Sequence, residues 1–211
     1  MTRQRASRAT PEVRRRQLID ATLKCIERSG ISGLTLAEVA AEAGLAQGIV
    51  NLHFRSKDNL LKETLRHLAD EYESTVADAL AAAGPDPAER LATLVAADFS
   101  PAVCNARSLA VWFAFYGEAK SRPTYRRICR ARDAANDRRM RQVVGDLLGG
   151  AEQGSLRVRA IADSLAALTD GLWLNCLMSP GEWSRRRARE TAFTLLRSLF
   201  PRFFPTTEST T

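Results

Sequence analysis

TLAEVAAEAGLAQGIVNLHF, residues 35–54, reads as two short helices folded across a tight turn. Thr35 opens the first: its hydroxyl is placed to accept from the N–H of Glu38, whose side chain reaches back to the N–H of Thr35. Val39, Ala40 and Ala43 then fall on one inner face, with Ala40 small where two helices must cross closely. Gly44 supplies a turn residue that takes positive φ at little cost, and Leu45 with Val50 pins the second helix across the first. This is the layout of a helix-turn-helix. Its second helix turns Gln47, Gly48, Asn51 and Leu52 away from the apolar side, toward a major groove. Gln47 and Asn51 share a face at i and i+4, and either amide can read adenine through a pair of hydrogen bonds. Thr35 with its helix N-terminus, His53 and Lys57 are candidates for phosphate contacts, which orient a protein on DNA without reading sequence.

Helical periodicity continues on both sides of this stretch, and runs rich in Val, Ile and Thr bounded by turn residues are absent, so the fold is expected to be all-α. Thr10-Pro11-Glu12 starts a helix that carries Leu18, Thr22, Cys25 and Ile26 on one face and stops at Gly30. Ser56 caps a long helix with the stripe Leu61, Leu65, Leu68, Tyr72, Val76 and Leu80, ending near Ala83. Further helices are expected over 87–99, 105–120, 125–148, 158–178 and 184–200, separated by Ser100-Pro101, Arg122-Pro123, Gly149-Gly150 and Ser179-Pro180-Gly181. The expected organisation is three small helices with a basic arm over 1–60, joined by the long helix to a larger helical domain over 61–205, with a disordered tail over 206–211.

The chain has 211 residues, 45% of them hydrophobic and 26% charged, the composition of an ordinary globular protein. Its formal net charge of +7 is uneven: residues 1–57 hold ten basic against five acidic side chains, as expected of a segment that meets a polyanion. A solvated basic tail would give the same count. The longest apolar run, Leu109 to Tyr116, is far short of a membrane span. No signal peptide is expected behind the basic N-terminus, so the expected location is the cytoplasm. Cys25, Cys104, Cys129 and Cys176 are widely spaced and read as reduced thiols. With His53 and His67 they make no metal-ligand spacing, so neither metal nor cofactor is expected. An α-helical enzyme would need a nucleophile or an acid–base pair, and there is no Gly-rich phosphate loop, no GxSxG and no His beside a Cys or Ser signature.

Residues 10–60, through TLAEVA, AGL, GIV and HFRSKDNLL, resemble the N-terminal domain of the TetR (tetracycline repressor) family. Fragments spread along the chain (RRRQLIDAT at 14–22, WFAF at 112–115, DGLWL at 170–174) look like its BetI-type branch, repressors of the choline to glycine betaine pathway. The resemblance implies a homodimer that represses transcription from a palindromic operator and is released by a small-molecule inducer, with residues 1–60 as its three-helix DNA-binding domain and 61–205 as its ligand-binding and dimerisation domain. Two positions depart from the family pattern. Ala46 stands where a capping serine or threonine is usual, and Asn51 stands where tyrosine is common.

Trp112, Phe115 and Tyr116 on one helix, Tyr125 on the next and Trp173 on another could surround a quaternary ammonium such as choline, each face contributing about 0.5 to 2 kcal/mol. Asp170, one turn before Trp173, would add charge complementarity. Aromatics at helical spacing more often fill a core, and an aspartate beside them often caps a neighbouring helix or pairs with an arginine. Two arginine clusters, Arg126, Arg127, Arg130 and Arg132 on one helix and Arg185 to Arg187 with Arg189 on another, read as solvated surface or dimer rim rather than a lipid-binding patch. Leu165, Leu168, Leu172, Leu195, Leu196 and Leu199 on the last two helices are candidates for the seam of a four-helix dimer interface, or for the core behind it.

Overall fold

The computed structural model describes residues 10–150 and 154–205. Arg3, Arg5 and Arg8 of the basic arm and the tail 206–211 lie outside the described residues. The described residues form only helices and turns: α1 (Pro11–Gly33), α2 (Leu36–Glu42), α3 (Gln47–Phe54), α4 (Lys57–Ala82), α5 (Pro87–Asp98), α6 (Ala106–Glu118), α7 (Pro123–Leu147), α8 (Leu156–Met178) and α9 (Arg185–Leu199).

Local chemistry sets most boundaries. Thr10, Thr35, Ser56, Asp86, Asn105, Ser155 and Ser184 each accept a first-turn backbone N–H, satisfying donors that have no partner within the helix. Two boundaries differ from expectation. α1 breaks at Gly30, which takes φ 70°, but another turn follows to Gly33 and brings Ile31 and Leu34 into the core. Arg122-Pro123 marks the break between α6 and α7, but α7 starts two residues earlier than expected: proline occupies its first turn, where its missing N–H costs nothing.

α1 packs along α2, α4 and α6, so the N-terminal helices are seated on the larger bundle through two contacts. The first is α4, whose buried face runs from Leu60 and Leu61 through Leu65 and Leu68 to Tyr72 and Val76. The second is α6, tied to α1 by an ion pair of Arg107 with Glu27 at 2.9 Å and to its C-terminal turn by Ser32 Oγ donating to Glu118 at 3.4 Å. α8 packs on α6, α7 and α9. Leu165, Leu172 and Leu196 lie in this core, leaving Leu168 and Leu195 half-buried and Leu199 exposed. Among the described residues no group of His, Cys, Asp and Glu side chains is arranged to hold a metal, and no helix is long and apolar enough to cross a membrane.

Candidate nucleic-acid interface and aromatic cavity

The capping box of α2 forms as the spacing implies: Thr35 Oγ1 accepts from the N–H of Glu38 at 3.2 Å, and the Thr35 N–H donates to Glu38 Oε2 at 2.8 Å. The Thr35 N–H and the Thr35 hydroxyl, both donating to Glu38 Oε2, hold that carboxyl below its ordinary range. The N-terminus of α2 is thus already covered by a carboxylate, and Thr35 serves as a cap. Gly44 takes φ 65°, and the N–H of Leu45 returns to the carbonyl of Ala40 at 2.8 Å, closing the turn. Val39, Ala40, Val50 and Phe54 are buried where α2 and α3 cross. α3 therefore presents Gln47, Gly48, Asn51 and Leu52 to solvent, Leu52 with 74% of its surface exposed. Ala46 caps α3 without a side-chain bond, which leaves the first N–H groups of the helix open on the same face. His53 is half-buried, and Lys57 donates to the carbonyl of Ser32 at 3.4 Å.

One residue that holds this surface is not legible as such in the sequence. Arg15 of α1 donates to the carbonyl of His53 at 3.4 Å, pairs with Glu63 of α4 at 2.6 Å and lays its guanidinium 4.7 Å from the centre of the Phe54 ring. It ties the C-terminus of α3 to both neighbouring helices.

In the larger bundle the aromatic residues divide in two. Phe115 and Tyr125 are fully buried against each other, ring centres 5.0 Å apart and edge to face, with Arg122 lying 5.4 Å over Tyr125. Trp112, Tyr116 and Trp173 belong to a second group with Tyr72, and its centre is filled. Arg132 of α7, only 6% of its side chain exposed, places its guanidinium 4.6 Å from the centre of the Trp112 ring, 4.9 Å from Tyr72 and 5.6 Å from Trp173. It donates to the Tyr116 hydroxyl and pairs with Asp133 at 2.7 Å. This corrects the expectation that Arg132 lies on a solvated face with Arg126, Arg127 and Arg130, which are exposed.

Asp98, at the end of α5, lies beneath this box and is 2% exposed. Tyr72 donates to it at 2.7 Å and Thr169 at 3.4 Å, while the Trp173 indole donates to its backbone carbonyl at 2.9 Å. Burial pushes its carboxyl up to about 6 against the pull of Tyr72 and Arg132. Asp170 opens to solvent at the rim, its carboxyl also raised by desolvation and lowered by Arg132. On the Arg132 side the remaining cavity is about 60 Å³, lined by Asp98, Asp133, Asp137, Asp170 and Trp173. A larger cavity of about 340 Å³ opens between α4 and α6, lined by Leu68, Glu71, Tyr72, Thr75, Val103 and Trp112. Phe115 and Tyr125 line neither.

Residues 18–64 match the family model described as bacterial regulatory proteins of the tetR family, and residues 87–201 match the model of the BetI-type transcriptional repressor, C-terminal. The chain belongs to the TetR family. An HTH-type transcriptional regulator BetI from Burkholderia thailandensis is 38% identical over 181 residues, 86% of this chain and 90% of that one. The crystal structure of a putative transcriptional regulator from Pseudomonas aeruginosa PAO1 superposes with a TM-score of 0.80 at 28% identity, covering 92% of this chain and 94% of that one. A putative regulator from Saccharomonospora viridis, solved in complex with choline, superposes at 0.74 with 23% identity, covering 87% of this chain and 95% of that one.

As a TetR-family repressor of the BetI type, the protein is a DNA-binding transcriptional regulator and not an enzyme. Its exposed α3 face is the part of such a regulator that the sequence makes legible. Its buried box is less so. Tyr72, Asp98 and Arg132 each stand on the apolar stripe of their helix, which hides their part in the box: Asp98 follows Leu91, Leu94 and Val95, and Arg132 follows Tyr125 and Cys129 at helical spacing. A charged residue on a buried stripe is the signal that finds Asp98 and Arg132.

Proposed function

We propose that the repressor acts in the cytoplasm as a homodimer, with residues 1–60 reading DNA and 61–205 binding an effector and the second subunit. Two α3 helices, presented by the twofold about 34 to 36 Å apart, enter successive major grooves of a palindromic operator. Gln47 and Asn51 read bases, Leu52 meets the groove floor, and the open first turn of α3 after Ala46 and Gly48 takes a phosphate. Lys57, His53 and Thr35 flank that contact. The effector is a quaternary amine of the choline type, and it releases the operator.

The observation that carries the effector reading is the box itself: three aromatic faces converge on one cationic group above a buried carboxyl, the environment that recognises a quaternary ammonium. The choline complex of the S. viridis regulator supports the same ligand chemistry. The walls of the box are also the connections to the N-terminal helices, since Tyr72 is on α4 and Trp112 and Tyr116 are on α6. An effector that favours a different spacing of α4 and α6 thereby shifts the separation of the two α3 helices.

A mobility shift at low salt with DNA from upstream of the protein's own gene tests this. Retardation that choline or betaine aldehyde reverses is expected; retardation that neither affects removes the effector assignment, and no retardation by folded protein removes the operator reading. Gln47→Ala is expected to cost about 1 to 3 kcal/mol and to relax preference at one base pair. Lys57→Ala is expected to weaken all sequences alike and lower the salt slope by about 1. The opposite pattern overturns the division of roles.

A further inference from the structure

We propose that Arg132 is a tethered occupant of the aromatic box, and that a quaternary ammonium binds by driving its guanidinium out onto the carboxylates at the cavity mouth. The inference rests on the effector reading above and concerns how that site is regulated.

Three observations support it. The faces of Tyr72, Trp112 and Trp173 that would wrap a quaternary ammonium already wrap the guanidinium, at 4.6 to 5.6 Å. The space left on that side, about 60 Å³, admits a few water molecules and is too small for a trimethylammonium group. Two cations within one box would also repel in a low-dielectric setting. Occupation by Arg132 and by the effector is therefore mutually exclusive.

Arg132 is incompletely held, since its Nε is buried without a hydrogen-bond partner. Asp133, already paired at 2.7 Å, and Asp170 stand at the mouth to receive the guanidinium as it leaves. Asp98 stays beneath the box, 2% exposed, where its carboxyl faces whichever cation occupies the space above it. Arg132 reaches from α7 to Tyr72 on α4, Trp112 and Tyr116 on α6 and Trp173 on α8, so its exit unpins four helices at one point. An internal competitor thus sets both the sensitivity of the site and the element that moves. Most charged side chains in a binding cavity strengthen binding; this one is assigned the opposite sign.

The test is calorimetry with choline on the wild-type protein, Arg132→Met and Arg132→Lys. If the vacant box is the minor state, its population scales the apparent affinity, and Arg132→Met is expected to bind choline roughly ten-fold or more tightly, with Arg132→Lys between. A second readout follows the unaltered box of the wild-type protein. Arginine side-chain resonances of wild type, displaced by ring currents and assigned by their loss in Arg132→Lys, are expected to return to solvent-like positions at choline saturation. Choline binding to wild type with equal or weaker binding to Arg132→Met, or with unmoved Arg132 resonances, overturns the competition and leaves the quaternary-amine reading standing. If choline binds neither wild type nor Arg132→Met, the effector reading falls and the competition with it.

Discussion

Leu174→Asp combined with Met178→Asp is expected to yield a folded monomer that has lost operator binding by a factor of a hundred or more. Leu174 and Met178 are 43% and 71% exposed, and Leu156, at the other end of the same helix, is 82% exposed. Between them Ala160, Ala167 and Gly171 are also exposed, at spacings of three, four and seven residues, so one stripe of α8 is apolar or small along its length. Leu199 on α9 and Phe203 just beyond it, 38% and 46% exposed, extend that surface. The stripe contributes little to the subunit core, because Leu165, Leu172 and Trp173 face inward from the same helix.

Fully burying a Leu or Met side chain is worth about 1.5 to 3 kcal/mol, and a twofold axis counts each side chain twice. Four carboxylates in their place would face one another across the axis and oppose pairing outright. A monomer keeps one recognition helix and forfeits the avidity of two linked half-sites, about 10² to 10⁴ in affinity. Sedimentation velocity and a mobility shift decide the matter, with circular dichroism to show that the helices persist. A double variant that still sediments as a dimer and still retards DNA would move the subunit interface elsewhere.

How much of the molecule can be read from its residues follows from the range of the interactions involved. The helix-turn-helix is local: the capping box spans four residues, Thr35 to Glu38, the turn at Gly44 six, Ala40 to Leu45, and the Ala40 contact lies within one supersecondary unit, so the pattern of TLAEVAAEAGLAQGIV contains its own geometry. The box around Arg132 is not local. Tyr72, Asp98, Trp112, Arg132 and Trp173 come from five helices, and no spacing along the chain announces that they converge. Composition misled in the same place. Arg132 sits among Arg126, Arg127 and Arg130, and only its register on α7 separates the one buried guanidinium from the exposed three. Trp112 and Trp173 were legible as aromatics able to hold a cation; that the protein supplies a cation of its own required coordinates. The leucine seam illustrates the converse. Leu165, Leu172 and Leu196 are indistinguishable by type from Leu174 and Leu199, and which leucines are left outside depends on how α8 is rotated against α6 and α7.

Asp98→Asn is expected to remove a pH dependence of stability that runs opposite to ordinary acid denaturation. Burial raises the Asp98 carboxyl from 3.8 to about 6 in the folded state, against the Tyr72 hydrogen bond and the Arg132 charge, with Asp170 adding to the rise. The native state therefore holds this proton at pH values where the unfolded chain has released it. Stability contributed by this group is fully present below about pH 4 and is lost as pH rises to about 6, with a total on the order of 3 kcal/mol. Glu38 and Glu42, whose carboxyls are lowered by their cap and ion-pair partners, act with the opposite sign at more acid pH, so the group must be isolated by difference. Asparagine preserves the shape and the acceptor for Tyr72 but does not ionise. Urea unfolding of both proteins from pH 4.5 to 7.5 is expected to show the variant gaining on wild type as pH rises, by about 2 kcal/mol over that range, because the first part of the loss falls below pH 4.5. A difference that stays flat across that range would mean that Asp98 is ionised in the folded protein throughout, held as a full ion pair beneath Arg132. Quaternary-amine binding would then have to replace a complete counter-charge rather than share a proton with the box.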